Sequence, residues 1–236
     1  KFGGERAPPF SAHLSRHEPI LMREAARPYP DMVEKARNGD LADIRFCIAD
    51  CLGCIEGVLR HGEASCTVNP RLGREYQIRE VEGEKRATAR RVLVAGAGPA
   101  GLEAARRAAF AGHKVTLCES RGWIGGQMRL ASMMPRRSEI GDIIPWYERQ
   151  LNKLGVEIRL NTAVDGHVLD ELKPDVVVLA TGSLPEASLG FVEGLANIEQ
   201  TELIMADDLL EERKPTGDTV LVAFAGSLVG LGLEAR

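Results

Sequence analysis

Residues 92–105 constrain the fold of this chain more than any other stretch. Val92-Leu-Val-Ala-Gly96-Ala-Gly98-Pro-Ala-Gly101-Leu-Glu-Ala-Ala105 passes from small apolar residues into a turn with three glycines at G-x-G-x-x-G spacing, then into an alanine-rich segment. In such a turn the first glycine permits a tight bend and the second lets backbone approach a pyrophosphate. The third allows close packing of helix on strand. A helix starting here would aim its unpaired N–H groups and positive dipole end at phosphates. The spacing is weak evidence alone, and its surroundings carry the argument. A β-type run precedes it, a helix from about Pro99 to Ala111 should stop at Gly112, and a second strand, Lys114-Val-Thr-Leu-Cys118, delivers Glu119. An acid about 20 positions on is where a ribose hydroxyl pair is held. The stretch therefore predicts a Rossmann-like α/β domain with a parallel sheet and a dinucleotide site.

The 236 residues allow one large domain or two modest ones. Apolar residues make up 44% and charged residues 27%, the balance of a soluble globular protein. A net charge of -4 argues against nucleic acid as a partner. With no run of 18 apolar residues and no signal-peptide pattern, a cytoplasmic location away from membranes is expected. The chain begins with Lys and stops just after a glycine-rich turn, as a portion of a longer protein would.

Of five cysteines, four fall between residues 47 and 66, which suits metal binding in a reducing compartment better than disulfides. Cys47, Cys51 and Cys54 are followed by Cys66, giving C-x3-C-x2-C-x11-C. Three clustered thiolates let one loop curl around a compact soft metal centre, and the fourth closes it. Four thiolates suit either a 4Fe–4S cluster or a structural zinc. Three grouped cysteines plus a distant one is the iron–sulfur habit, whereas zinc modules more often show two separated pairs. Arg45 and Arg60 lie nearby, where a cation would balance cluster charge. Cys118 stands alone on the second strand and reads as a buried structural thiol. His13 and His17 lack a third ligand and read as loop residues.

Elsewhere the pattern is mainly architectural. Residues 1–18 read as irregular, with a short helix from Pro19 towards Pro28 and another near Asp31, capped by Asp31 with Glu34 in support and ended by Gly39. Residues 71–90 read as an exposed connection. Gly125-Gly-Gln127 would let backbone pass close to a long flat cofactor, a plain loop being the alternative. Ile140, Ile143, Ile144, Tyr147, Leu151 and Leu154 describe an amphipathic helix over 138–154 that Pro145 kinks or restarts and Gly155 ends. Val156–Leu160 alternates as a half-exposed strand that Asn161–Val164 would continue. The apolar run Asp175–Ala180 predicts a strand buried on both faces, ending at Thr181-Gly182 on the ligand-binding edge. A short helix is expected near Asp207–Glu212. Thr219–Phe224 then opens a second nucleotide fold, with Ala225 and Ser227 in two glycine places. These readings divide the chain into a helical, cysteine-rich segment at 1–88, an FAD-binding Rossmann-like domain at 89–215, and the start of a second nucleotide-binding domain at 216–236.

With Ile44-Arg-Phe-Cys47, Cys66-Thr-Val-Asn-Pro70, Val94–Ala105, Gly112-His-Lys-Val-Thr116, Gly125-Gly-Gln127 and Ala180-Thr-Gly182 together, the chain resembles the trimethylamine dehydrogenase and 2,4-dienoyl-CoA reductase family, relatives of old yellow enzyme. The likeness runs from about Pro30 to Pro185. It implies an electron relay in which a barrel domain carries FMN and the small-molecule substrate, a 4Fe–4S cluster passes single electrons, and a nucleotide domain binds FAD or ADP, with NAD(P)H as an optional donor. Cys47, Cys51, Cys54 and Cys66 match its cluster ligands, and Gly96, Gly98, Pro99, Ala100, Gly101, Glu119, Gly126 and Gln127 its cofactor-holding positions. Ser120, Gly125, Val164, Thr181 and Gly182 join the expected cofactor-binding set. The family spaces its first two cysteines C-x2-C, whereas Cys51 falls one residue later here. A (β/α)8 barrel needs about 250 residues, so the FMN-binding barrel is expected as a partner domain or subunit outside this chain, and no catalytic residue is assigned within it. An electron-transfer subunit without its own substrate site, a zinc-stabilised nucleotide-binding module, and homo-oligomerisation stay open on these residues.

Overall fold

The computed structural model describes residues 32–62, 64–72, 74, 77–78, 88–183 and 206–211. The chain forms two compact units, 1–182 and 183–236. In the first, helix α1 (Met32–Asn38) and a 3-10 turn (Leu41–Asp43) lead to the cysteine loop. A π turn (Leu52–Glu56) then runs directly into α2 (Gly57–His61). The nucleotide fold follows as β1 (Arg91–Ala95), α3 (Pro99–Phe110), β2 (Lys114–Cys118), α4 (Gln127–Ser132), α5 (Ile143–Lys153), β3 (Glu157–Arg159), α6 (Gly166–Leu172) and β4 (Val176–Leu179). In the second unit the described element is α7 (Ala206–Leu210), the short helix expected there.

All strand pairs are parallel and the order is β3-β2-β1-β4. Val92 is in register with Val115 on one side and Val176 on the other. Side chains alternate across a strand, so Val92 and Val94 face one layer and Leu93 the other. The first layer is the main core, where α3 and α5 bury Leu102, Ala105, Ile143 and Leu151 against the sheet. Each such leucine contributes about 1.5–3 kcal/mol by leaving water. On the opposite face Leu93 and Cys118 meet Val168 of α6, which makes Cys118 the buried thiol expected. The carboxyl of Asp165 accepts from the Val168 amide at 2.9 Å and caps α6.

Two expectations change, while a third, the fresh helix start at Pro145, holds. The stretch 138–154 is two pieces, a 3-10 turn (Ser138–Asp142) and then α5. Pro145 sits in the first turn of α5, where its missing N–H costs nothing. The third strand does not continue through Asn161–Val164, because Asn161 adopts φ +52° and turns the chain. Nor is β4 buried on both faces: Val176 and Val178 pack on the core, but Val177 is 41% and Leu179 79% exposed. Among the described residues β4 is an edge strand with little cover on that side. The helix cap at Asp31, the Pro19–Pro28 helix, most of 71–90 and the Thr219–Gly230 stretch lie outside the described residues. Among the described residues no helix is long and apolar enough to cross a membrane.

Candidate cofactor site

The carboxyl ends of β1, β2 and β4 converge on the glycine turn. The Gly96 amide donates to the Cys118 carbonyl at 2.8 Å and the Ala180 amide to the Ala95 carbonyl at 2.8 Å, so the turn hangs between its neighbours. A Cβ on Gly101 would stand 1.8 Å from the Gly96 carbonyl oxygen, and one on Gly96 2.3 Å from that of Ala180. Only hydrogen fits at either place. Gly98 caps α3 in extended conformation with open space before it, and Pro99 takes the first helical position. Pro99 and Ala100 are exposed while Gly101 and Leu102 are buried. The helix therefore presents its amide end outward, the arrangement that receives a phosphate.

Glu119 is buried at the end of β2, and its carboxylate is held from both oxygens. Oε2 accepts from the Ala97 amide at 2.7 Å, while Oε1 accepts from the Arg121 amide at 2.9 Å and the Ser120 hydroxyl at 3.2 Å. A buried carboxylate needs such charge-assisted partners, and here they lock the acid to the glycine turn. Gly125 and Gly126 complete the cradle. The Gly125 amide donates to the Ala97 carbonyl at 2.8 Å, and a Cβ on Gly126, at φ +52°, would come within 2.8 Å of Gly98 Cα. Gln127 then starts α4 in an exposed position, a helix absent from the sequence reading. Thr181 and Gly182 are exposed just beyond β4, with the Thr181 Cα 3.1 Å from where a Cβ on Gly96 would stand. Val164 is placed in the second apolar cluster, packed with Leu93, Cys118 and Val168. Sequence reasoning missed the Ala97 amide and Trp123, whose ring is met by the guanidinium groups of Arg121 (4.8 Å) and Arg129 (5.1 Å). Backbone donors leave no mark in residue type.

The cysteine segment packs on the same layer. Ile48 and Val68 belong to the apolar cluster that contains Ala97 and Leu102, and Cys66 packs against it. Asp43 is the hinge of this contact. Its carbonyl accepts from Trp146 Nε1 at 3.0 Å, and its carboxylate meets Gln150 and Lys153. Cys47 and Cys51 are exposed, Cys54 and Cys66 half-buried. Among the described residues no three of His, Cys, Asp or Glu converge closely enough to hold a metal ion as they stand. The four sulfurs are nonetheless electrostatic neighbours. Desolvation, then Cys54 and Cys47, push the Cys51 thiol up. Burial raises Cys66 against the pull of the Val68 and Asn69 amides. The Ala49 amide donates to Cys47 Sγ at 3.3 Å, and those of Val68 and Asn69 to the Cys66 sulfur. The Ser65 amide donates to the Gly53 carbonyl at 2.9 Å, fastening the two cysteine stretches together. Four thiols on two fastened stretches, with amides aimed at two of the sulfurs, are a donor set whose chemistry suits a soft metal centre, where such bonds tune the potential.

Residues 90–231 match the pyridine nucleotide-disulphide oxidoreductase family. The chain is 37% identical to an NADH oxidase of Thermoanaerobacter brockii over 203 residues, 85% of this chain and 30% of that protein. Among solved structures, a 2-naphthoyl-CoA reductase in complex with 2-naphthoyl-CoA is similar at TM-score 0.73 and 34% identity, over 82% of this chain and 28% of that one. The histamine dehydrogenase of Rhizobium sp. 4-9 is similar at TM-score 0.67 and 27% identity, over 81% and 28%. The chain thus spans less than a third of the length of these relatives. It belongs to the pyridine nucleotide-disulphide oxidoreductase family, in the flavin-dependent branch of trimethylamine dehydrogenase and 2,4-dienoyl-CoA reductase.

Proposed function

We propose that this chain is the electron-transfer portion of a flavin- and iron–sulfur-dependent oxidoreductase. It binds FAD, or ADP alone, in the glycine cradle and a 4Fe–4S cluster on Cys47, Cys51, Cys54 and Cys66, and works with an FMN-carrying barrel. The observation that carries this reading is the shared core, in which Ala97 of the nucleotide turn and Ile48 and Val68 of the cysteine segment occupy one apolar cluster. Two cofactors seated on one rigid layer keep a constant separation, as electron transfer requires.

A bound flavin would supply hydride chemistry and a bound cluster single-electron transfer, while the protein supplies binding, orientation and electrostatics. The amide end of α3 receives the pyrophosphate and Glu119 the ribose. The Gly125–Gln127 loop leaves room for the cofactor to pass over the turn. The four cysteines hold the cluster as thiolates. Leu52 and Ile55, 63% and 58% exposed, lie on the turn that carries Cys54, and Val58 and Leu59 are exposed on the helix that follows. Apolar side chains of this size in water mark a contact surface, and the barrel is the partner we assign to it.

Purification without oxygen, followed by counts of iron, sulfide, zinc and flavin or ADP, tests the reading. About four irons with acid-labile sulfide and one adenine nucleotide per chain are expected. Zinc without iron would instead identify a zinc-stabilised nucleotide-binding module, and a chain holding neither metal nor nucleotide would overturn both.

A further inference from the structure

We propose that Arg45 is the positioning residue of the cysteine centre: it ties together the two chain segments that supply the thiolates and fixes a positive charge at their junction. The inference rests on the four-thiolate reading above and gives it a residue that neither the cysteine pattern nor the relatives assign.

Arg45 and Arg60 are both near the cysteines in sequence, and the structure separates their roles. Arg60 Nε lies 2.6 Å from Glu56 Oε1 one turn back, with both side chains about two-fifths exposed. An ion pair of that kind is solvated and contributes little field. Arg45 is partly buried, and its guanidinium carbon lies 4.2 Å from the centroid of the Trp146 ring. Its Nη1 also donates to the carbonyl of Val68. Arg45 precedes Cys47 by two residues, and Val68 follows Cys66 by two. One side chain therefore clasps the stretch carrying the first three cysteines to the stretch carrying the fourth. Its neighbours are equally fixed: Ile44 is buried before it, Ile48 and Val68 are buried beyond it, and Trp146 is held by its own bond to the Asp43 carbonyl.

Lying over an indole while donating to a backbone carbonyl is a job for a planar fork, and lysine cannot do both. The charge has a separate effect. Iron and sulfide held by four thiolates carry net negative charge, and reduction adds more. A cation held close by in a partly desolvated setting favours the reduced form.

The test loads the parent chain, Arg45→Gln, Arg45→Lys and Trp146→Leu with iron and sulfide under anaerobic conditions. It reads iron per chain, the rate of iron loss to a chelator, and the midpoint potential of the paramagnetic reduced cluster. Arg45→Gln is expected to lose iron severalfold faster and to show a more negative midpoint. Arg45→Lys keeps the parental midpoint but loses iron faster, and Trp146→Leu behaves likewise because the charge stays while the clasp loosens. Parental midpoint and loss rate in Arg45→Gln overturn the assignment, and so does a midpoint in Arg45→Lys as negative as in Arg45→Gln. Should Arg45→Gln fail to fold, Arg45→Lys decides: faster loss at unchanged midpoint supports the clasp, and parental behaviour in both overturns it. A parent chain that takes up no iron sinks the four-thiolate reading itself, an outcome distinct from these.

Discussion

An added methyl group at position 101 would sit 1.8 Å from the Gly96 carbonyl oxygen, far inside contact distance. Helix α3 would have to shift away from β1 to admit it, taking the amide end of the helix out of line with the phosphates. Gly101→Ala is therefore expected to destabilise the chain by about 1–3 kcal/mol, the usual cost of overpacking, and to purify with little bound flavin. Thermal unfolding and a flavin count check both. At Glu119 the issue is charge. Its carboxylate accepts from the Ala97 amide on one oxygen and from Arg121 and Ser120 on the other. Glu119→Gln keeps the shape but places a donor where acceptors are needed. A loss of about 1.5 kcal/mol, or roughly tenfold in ADP affinity, follows from weakening a charge-assisted bond. Calorimetric titration with ADP reads it, and an unchanged affinity would show that the acid serves the loop alone.

At the scale of elements, the cysteine turn and the nucleotide cradle share a core but not a backbone scaffold. The turn is closed by the Ser65 amide on the Gly53 carbonyl, and a Cβ at position 53 would lie 3.0 Å from the Ser65 carbonyl oxygen. Gly53→Val forces the two cysteine stretches apart there. The expected outcome is a chain that takes up little iron on anaerobic reconstitution yet binds ADP as the parent does. Equal loss of both would show that the two sites fold as one unit. This split follows from where each site gets its rigidity: the cradle from parallel strands, the turn from the bonds of Ser65 to the Gly53 carbonyl and the Arg45 clasp.

Across the whole first unit, one polar network joins the cysteine segment to the sheet layer. Arg106 is buried and pairs with Glu103 at 2.7 Å, and both it and Arg45 lie against Trp146. Tyr147 adds a hydrogen bond to Glu103. Burial alone would raise the Glu103 carboxyl, but the Arg106 bond and charge, with Arg45, bring it below the ordinary carboxylate range. A carboxyl lowered on folding stabilises above its unfolded pKa of about 4.3, and that stability is lost as pH falls through the folded value. The melting temperature should thus drop on the acid side, and Glu103→Gln should flatten that drop. Tyr147 moves the other way, raised by burial and then by the Glu103 charge. Its contribution is complete below about pH 10 and declines above it, where the unfolded phenol ionises first. Tyr147→Phe should remove the alkaline decline. Melting curves over a pH series check both signs.

The nucleotide turn, its flanking strands and α3 were legible because each is written in neighbouring residues: glycines at required places, then a strand-to-helix change of period. Glu119 was legible for the same reason, as were the four cysteines. The span of β4 was readable too, but a continuous apolar run does not say whether a neighbour covers its second face. Its place at the sheet edge left Leu179 in water. Asn161 could equally have extended a strand, but its left-handed backbone, with its amide on the Arg121 carbonyl, turns the chain. The clasp of Arg45 on Trp146 and Val68 was invisible, since nothing local relates those residues. Spacing along a chain records chemistry within a few residues, where backbone geometry sets the distances. Which distant side chains meet is decided by how sheet and helices pack, and that packing brought the cysteine segment onto the core of the nucleotide turn.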